Sequence, residues 1–446
     1  MLRSLHLDGV GPADQLNLEL GERLNLLTGD NGLGKSFVLE VAWWALTGSW
    51  TERPVLPQQG REESARIAGA AEPGTLSGQF ESKYDRVAQQ WRDRFGRDRG
   101  LGLTSIPAGV VMPSWVRGLV PVLYIRTNGA CSVWDPNRNS PWTGSAPYRS
   151  LSAPSLDPHP YLFEEKALWN GLEHDGRPVC NGLVQDWTTW QLEAAEAEEA
   201  HPFQLLRRVL DQLSHPEEKM KPGKPVRLYL DDVRKFPTVE LPYGTIPVVH
   251  ASAGMKRILS LSYLIAWSWS EHVQASRLIG WPPSDRIVVL MEEPETHLHP
   301  KWQRHIVPAL LGVLSELSPS MRPQVMLTTH SPLVLASIEP HFKPAKDKLF
   351  VFELEDADVT VRELPWAKRG DAIGWLTSPV FGLEQARSIE AERAVEAAEA
   401  FMRGETGALP EGLRNEDDIH RELVRLLPDQ DRFWPRWIVR REHAGS

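Results

Sequence analysis

Residues 24–39, LNLLTGDNGLGKSFVL, constrain this chain more than any other stretch. An apolar run passes into a glycine-rich loop and then into an apolar helix start. Gly29, Gly34, Lys35 and Ser36 stand at the spacing G-x-x-x-x-G-K-[ST] of a P-loop. Such a loop wraps a triphosphate with backbone N–H groups at a helix N-terminus, so glycine is wanted where the chain comes closest. Lys35 is placed to reach the β- and γ-phosphates and the Ser36 hydroxyl to ligate Mg²⁺, with Asn31 and Gly32 completing the cradle. The expected ligands are a nucleoside triphosphate and Mg²⁺. An ordinary glycine-rich βα turn is the competing reading, and the strand before and helix after weigh against it.

The 446 residues suffice for two or three domains. Acidic residues outnumber basic ones, 59 to 49, which argues against a general nucleic-acid coat but leaves room for a local basic groove. Cys131 and Cys180 lie far apart and outside any C-x-x-C pattern. A disulfide framework or zinc ribbon is not expected, and a cytoplasmic location fits. The N-terminal residues show no long apolar segment of a secretory signal. The longest apolar-rich helix candidate, Ile258 to Trp269, is too short to span a bilayer, so no membrane role is expected. The 18 tryptophans read as core or interface anchors rather than base-stacking platforms.

Taken in order, residues 2–28 read as strands, with a turn at Gly9–Pro12, and Phe37 to Thr47 as a helix ending near Gly48. Residues 50–75 read as a loop. Short strands are expected at 76–80, 109–112, 120–126 and 131–134, the last two joined by Asn128-Gly129, a hairpin signal. Lys83 to Arg99 alternates charge and reads as a helix or loop with a solvated face; a DNA-contact patch there is disfavoured by its interleaved aspartates. Residues 135–160 read as a linker and 162–213 as helical. The run Glu193 to Ala200 is too short for a heptad array. Strands follow at 226–230 and 246–249.

Three later stretches carry chemistry. The loop HASAGMKR, residues 250–257, opens a long buried helix; it gathers N–H groups and a dipole at one point, though a plain N-cap at Ser252 explains it equally well. RIVVLM, residues 286–291, has the unbroken apolarity of a central parallel strand and ends in Glu292-Glu293-Pro294-Glu295. Carboxylates at such a strand tip lie where open α/β sheets place ligands; one can hold Mg²⁺ and the next can orient or deprotonate water. The strand 325–328 leads to Thr329-His330-Ser331, and a histidine there is placed to sense the γ-phosphate. His297 and His299, two apart with only carboxylates nearby, have poor zinc spacing.

With GDNGLGKS at 29–36, SAGMKR at 252–257, IVVLMEEPETHLHP at 287–300 and TTHSPLVL at 328–335, the chain resembles the ABC-type ATPases of the SMC, RecF and OLD (overcoming lysogenisation defect) group. It looks most like the OLD type. The resemblance implies an α/β P-loop head with a mixed sheet, an antiparallel β-lobe and a helical lobe. The parts would be residues 1–60 and 246–345 as the ATPase core, 61–140 as the β-lobe, 141–245 as a helical insertion and 346–446 as a hairpin and helical tail. It further implies ATP with Mg²⁺ as the nucleotide, hydrolysed between two heads packed head to tail. Lys35 and Ser36 would bind phosphate and Mg²⁺, Glu292 would take the metal-side place and Glu293 that of the catalytic base. Ser252 and Gly254 would touch the γ-phosphate of the other subunit, His330 would be the switch histidine, and Leu298 and His299 would lie in the D-loop. This chain departs from the pattern with Glu292 where aspartate is usual and with a shortened signature. No glutamine is assigned to the Q-loop.

The spacer between P-loop and signature lacks long coiled-coil arms. Residues 348–354 and 359–363 read as a hairpin with Asp356 and Asp358 in its turn, and no acidic set of a TOPRIM nuclease follows. The expectation is a homodimeric ATPase, with a higher oligomer left open, that senses double-stranded DNA or controls a separate effector, a nuclease in anti-phage defence. A RecF-like repair clamp and an ATP-locked assembly platform are the alternatives. The tail 431–439 packs aromatics with arginines and reads either as folded onto the core or as a docking strip.

Overall fold

The computed structural model describes residues 1–72, 78–93, 120–139, 160–174, 176–194, 201–405, 407 and 409–444. They form two compact units, Met1–Gly370 and Asp371–Ser446.

The first unit opens with β1 (Leu2–Asp8), β2 (Gln15–Glu19) and β3 (Leu24–Gly29), followed by α1 (Lys35–Thr47). Next come β4 (Arg66–Ala71), β5 (Gly78–Asp85), β6 (Gln90–Asp93), β7 (Val122–Ile125), β8 (Cys131–Trp134), the single turn α2 (Pro136–Asn139) and β9 (Tyr161–Phe163). A helical region follows: α3 (Glu165–Asn170), the small hairpin β10 (Leu172–His174) and β11 (Arg177–Cys180), α4 (Leu183–Glu193) and α5 (Pro202–Leu213). β12 (Lys221–Arg227), β13 (Lys235–Leu241) and β14 (Gly244–Pro247) make a three-stranded antiparallel sheet. The unit closes with α6 (Ala253–Ile279), β15 (Arg286–Glu292), α7 (Pro300–Ser315), β16 (Arg322–Thr328), α8 (Pro332–Ile338), β17 (Asp347–Glu355) and β18 (Asp358–Glu363).

Two larger sheets organise the unit. The eight-stranded one has the order β18-β17-β3-β16-β15-β7-β8-β9. Its five central strands, β17 to β7, are mutually parallel, and antiparallel hairpin strands close both sides. The parallel strands are apolar almost throughout, as burial on both faces demands. The second sheet, β2-β1-β4-β5-β6, is antiparallel and alternates, with Leu16 and Leu18 inward and Gln15, Asn17 and Glu19 outward. Helix α1 shares one core with both sheets: Val38, Leu39 and Trp43 pack in a cluster with Leu5, Leu7 and Leu18 and with Val288, Leu290 and Met326. Gln324, wholly buried on β16, ties the sheets together. Its amide donates to the carbonyls of Leu2 and Gly21 and accepts the Leu2 N–H, all within 2.9 Å. Removing that side chain would take a partner from the Leu2 N–H and carbonyl, while the Gly21 carbonyl would keep the Asn25 amide at 3.1 Å.

Several local expectations are corrected. Residues 50–75 are not all loop, since β4 lies within them. The described part of Lys83–Arg99 is a β-hairpin, not a helix. Asp85 Oδ1 accepts the N–H groups of Val87 and Ala88 in its turn, and Tyr84 meets Trp91 edge-on across the strands. The local charge pattern hid this, because the pairing with β4 that fixes it is not local. The supposed helical insertion 141–245 contains β9, β10, β11, β12 and β13 as well as helices. The strand expected at 109–112, most of the linker 135–160 and residues 195–200 lie outside the described residues. Asn128-Gly129 does turn β7 into β8, and Asp356 and Ala357, both at positive φ, turn β17 into β18. Cys131 and Cys180 are free and buried.

The second unit comprises α9 (Ala372–Leu376), α10 (Ile389–Arg403), α11 (Glu416–Leu426) and α12 (Trp434–Ala444). Ala394, Val395, Ala398, Ile419, Leu423, Phe433 and Trp437 form a core of its own. Trp437 donates to His420 Nδ1 at 3.1 Å, and Arg387 grips Asp431. The aromatic tail residues Phe433 and Trp437 are therefore interior groups of this unit. Among the described residues, no helix is long and apolar enough to cross a membrane.

Candidate nucleotide site

Three motif-bearing segments leave adjacent parallel strands at one level. In register, Glu292 at the end of β15 stands opposite Thr328 of β16, and Thr328 stands opposite Leu27 of β3. The P-loop leaves β3, the turn Glu292–Glu295 leaves β15, and Thr329-His330 leaves β16. The carboxyl ends of parallel strands thus bring Lys35, Glu293 and His330 to one end of the sheet.

The P-loop backbone is built for glycine, though for a reason the spacing alone does not reveal. Gly29, Gly32 and Gly34 have φ of +117°, +78° and +93°. A Cβ at Gly29 would stand 2.0 Å from the Phe352 carbonyl oxygen of β17, and one at Gly34 would stand 2.5 Å from Pro12. Close packing within the chain by itself demands glycine at those two positions. Only at Gly32 is the space open. Lys35 heads α1, and its ammonium donates to the carbonyls of Gly29 at 3.0 Å and Asp30 at 2.5 Å. Burial pushes the Lys35 pKa down to about 8, against the opposing pull of Asp30 and Glu293. Asn31, Gly32 and Ser36 are exposed.

The acidic turn is held by a different kind of bonding. Glu292 is buried, and both its carboxylate oxygens are engaged: Oε1 accepts the Tyr124 hydroxyl at 2.6 Å, and Oε2 accepts the Thr127 N–H at 3.2 Å and hydroxyl at 3.3 Å. Burial, then the Glu292 charge, raises the Tyr124 phenol so that it stays protonated and donates. Glu293 adopts φ +38°, an uncommon conformation for a side-chain-bearing residue. Its N–H donates to Thr328 O at 3.0 Å, and its Oε2 accepts the Thr296 hydroxyl at 3.2 Å. Glu295 points back under the sheet and accepts the Thr329 hydroxyl at 2.7 Å and the His330 N–H at 2.9 Å through Oε1. Its Oε2 is buried without a partner, and burial raises its pKa. Burial and then the Lys35 charge lower the His330 pKa, so the imidazole is neutral at pH 7.

The signature segment starts α6. Ser252 is its exposed N-cap, accepting the Met255 N–H at 3.3 Å, and Gly254 packs so closely on His297 that a Cβ would sit 2.8 Å from the His297 carbonyl. His299 is the N-cap of α7, accepting the Lys301 N–H, and Leu298 is buried. Among the described residues no cluster of three or more metal-ligating side chains exists. The sequence reading missed Glu295, Tyr124, Thr127 and Arg257. Glu295 was visible only as the last carboxylate of EEPE. The other three had no local signal, because their roles are contacts across more than 30 residues.

An AAA-domain model described as "putative AbiEii toxin, Type IV TA system" matches residues 154–336, and a second AAA-domain model matches residues 4–88. A curated relative, Septu protein PtuA of Bacillus thuringiensis, is 32% identical over 106 residues, 23% of this chain and 24% of the relative. The match therefore spans about a quarter of that relative's length. Among solved structures, the SMC head domain from Thermotoga maritima aligns at 12% identity over 82% of this chain and 99% of that one, with a TM-score of 0.38. The recombination mediator protein RecF aligns at 13% identity over 81% and 98%, with a TM-score of 0.36. The first of these AAA-domain models falls on the stretch that holds Ser252, the acidic turn and His330, and the second on the stretch that holds the P-loop.

Proposed function

We propose that this protein binds and hydrolyses ATP between two copies of itself and uses the cycle to control a separate effector, a nuclease in defence against phage. The observation that carries the ATPase reading is the meeting of Lys35, Glu293 and His330 at the tips of three neighbouring strands. The Glu293 charge acts on both Lys35 and His330, and the Lys35 charge acts on His330.

The residues fit a Mg²⁺–triphosphate. An ammonium, an exposed hydroxyl on Ser36 and an open loop at Gly32 lie on one side, with carboxylates on the other. Lys35 would exchange its two loop carbonyls for phosphate oxygens. Ser36 and Glu292 would hold the metal, Glu292 with its rotamer fixed by Tyr124 and Thr127. Bound Mg²⁺ would neutralise charge on the phosphates. Glu293, adjacent to Thr296 rather than to any cation partner in hydrogen-bond contact, is left to accept a proton from the attacking water. Neutral His330 can donate to the γ-phosphate or accept from the same water.

Exposed Ser252, beside Gly254, is available to a second copy's nucleotide, the role that the family resemblance assigns to it. The similarity to Septu protein PtuA supports the defence setting. The test is sedimentation of Glu293→Gln with and without ATP and Mg²⁺, beside turnover of the wild type with and without duplex DNA. A dimer that requires ATP supports the reading. A mass that ignores ATP overturns the shared site. Stimulation by DNA would make DNA, rather than the effector, the first regulator to pursue.

A further inference from the structure

The peptide between Glu292 and Glu293 is clamped on both edges. Its N–H donates to Thr328 O at 3.0 Å, and its carbonyl, Glu292 O, accepts from Arg257 Nη2 at 3.0 Å. Arg257 lies in the first turns of α6, five residues after the exposed Ser252. Its other arm, Nη1, donates to Arg126 O at 2.8 Å and Thr127 O at 3.3 Å, where β7 ends. Thr127 in turn holds the Glu292 carboxylate. One guanidinium thus spans the signature helix, the end of β7 and the acidic turn. Among the described residues Arg257 bonds no carboxylate directly, although the charges of Glu292, Glu295 and Glu293 all act on it. Nη1 and Nη2 of its rigid fork serve backbone carbonyls of two elements at once, a geometry that a lysine ammonium does not reproduce, while Nε is buried without a partner.

We infer that Arg257 is a positioning residue that fixes the peptide plane carrying Glu293 and so makes the aim of the base depend on where the N-terminus of the signature helix sits. That helix end is the part offered to a second copy, so engagement there would be felt at the chain's own base without any change in its P-loop. A rotation of this peptide would swing a residue already at φ +38°, and a misplacement of about 1 Å at a reacting group costs about 100-fold in rate.

The inference rests on Glu293 being the base, so Glu293→Gln is measured in parallel. Arg257→Ala is expected to lower kcat about 100-fold while leaving KM and the ATP dissociation constant within about threefold, because the P-loop is untouched. Arg257→Lys, which keeps the charge, should fall between the two. Arg257 also lines a cavity of about 380 Å³ with Lys256, Thr127, Glu165, Leu264 and His297. Added guanidinium ion should therefore reach the space vacated in Arg257→Ala and restore kcat severalfold, but not in Glu293→Gln. A role in stability alone would lower Arg257→Ala melting without this rescue. A kcat equal to wild type, a loss of ATP affinity as large as the loss of kcat, or no rescue would overturn the inference. Full turnover in Glu293→Gln would instead remove the base reading beneath it.

Discussion

The two sides of the nucleotide site are made differently. The P-loop side is a backbone device: its shape comes from three glycines at positive φ, and Lys35 bonds only to loop carbonyls five and six residues away. The acidic side is a side-chain device. Glu292 is held by residues more than 160 positions earlier, Glu295 reaches the loop after β16, and Arg257 enters from a third element. The first side draws its polar contacts from one stretch of chain, with β17 and Pro12 packed against its glycines. The second exists only when β7, β15, β16 and α6 are all assembled, which suits a part whose geometry is meant to respond to the rest of the molecule.

The contrast is broken most directly at Lys35. Lys35→Ala should abolish measurable ATP binding by calorimetry while leaving the fold intact; unchanged affinity would remove the P-loop assignment. Within the same loop, Gly29→Ala should destabilise the protein by on the order of 3 kcal/mol in denaturant unfolding, because its methyl meets the Phe352 carbonyl. Gly32→Ala should cost only about 1 kcal/mol, since it bears the φ penalty with open space around it. Equal costs would mean that β17 does not set the loop. On the acidic side, Glu295→Ala removes the acceptor of the Thr329 hydroxyl and the His330 N–H and should cost about 2 kcal/mol. It should lower kcat more than ATP affinity, and Glu295→Gln should recover part of both. The smallest effect concerns protons. Lys35, held at about 8 by burial, is largely neutral at pH 8.5, and phosphate would restore its charge. ATP binding at pH 8.5 should therefore take up a proton, read from calorimetry in buffers of different ionisation heat, and at pH 6.5 this uptake should vanish. Lys35→Arg should show none at either pH.

The same contrast explains what the sequence disclosed. The P-loop spacing, the buried strand 286–291, the hairpin at 348–363 and the histidine at the tip of β16 are local patterns: a spacing, an apolar run, a turn. They were legible one segment at a time, and their common order pointed to one sheet. The hairpin β5–β6 was misread because its charged, alternating residues satisfy a solvated helix as well as an edge strand, and only pairing with β4 decides. Tyr124, Thr127 and Arg257 carry no motif. A tyrosine in a short strand and an arginine after a signature look ordinary until the strand order sets them beside Glu292. The glycines carry a second reason that the spacing did not show, the close approach of β17 to Gly29 and of Pro12 to Gly34.

The central claim is that Glu293 is the base of an ATP-hydrolysing site centred on Lys35. It is tested most directly by steady-state ATP hydrolysis of Glu293→Gln against the wild type, with ATP affinity measured on both. Turnover in the wild type, reduced about 1,000-fold in the variant with affinity retained, is the result this account predicts. Equal turnover in the two proteins, or none in the wild type under saturating ATP and Mg²⁺, would contradict it.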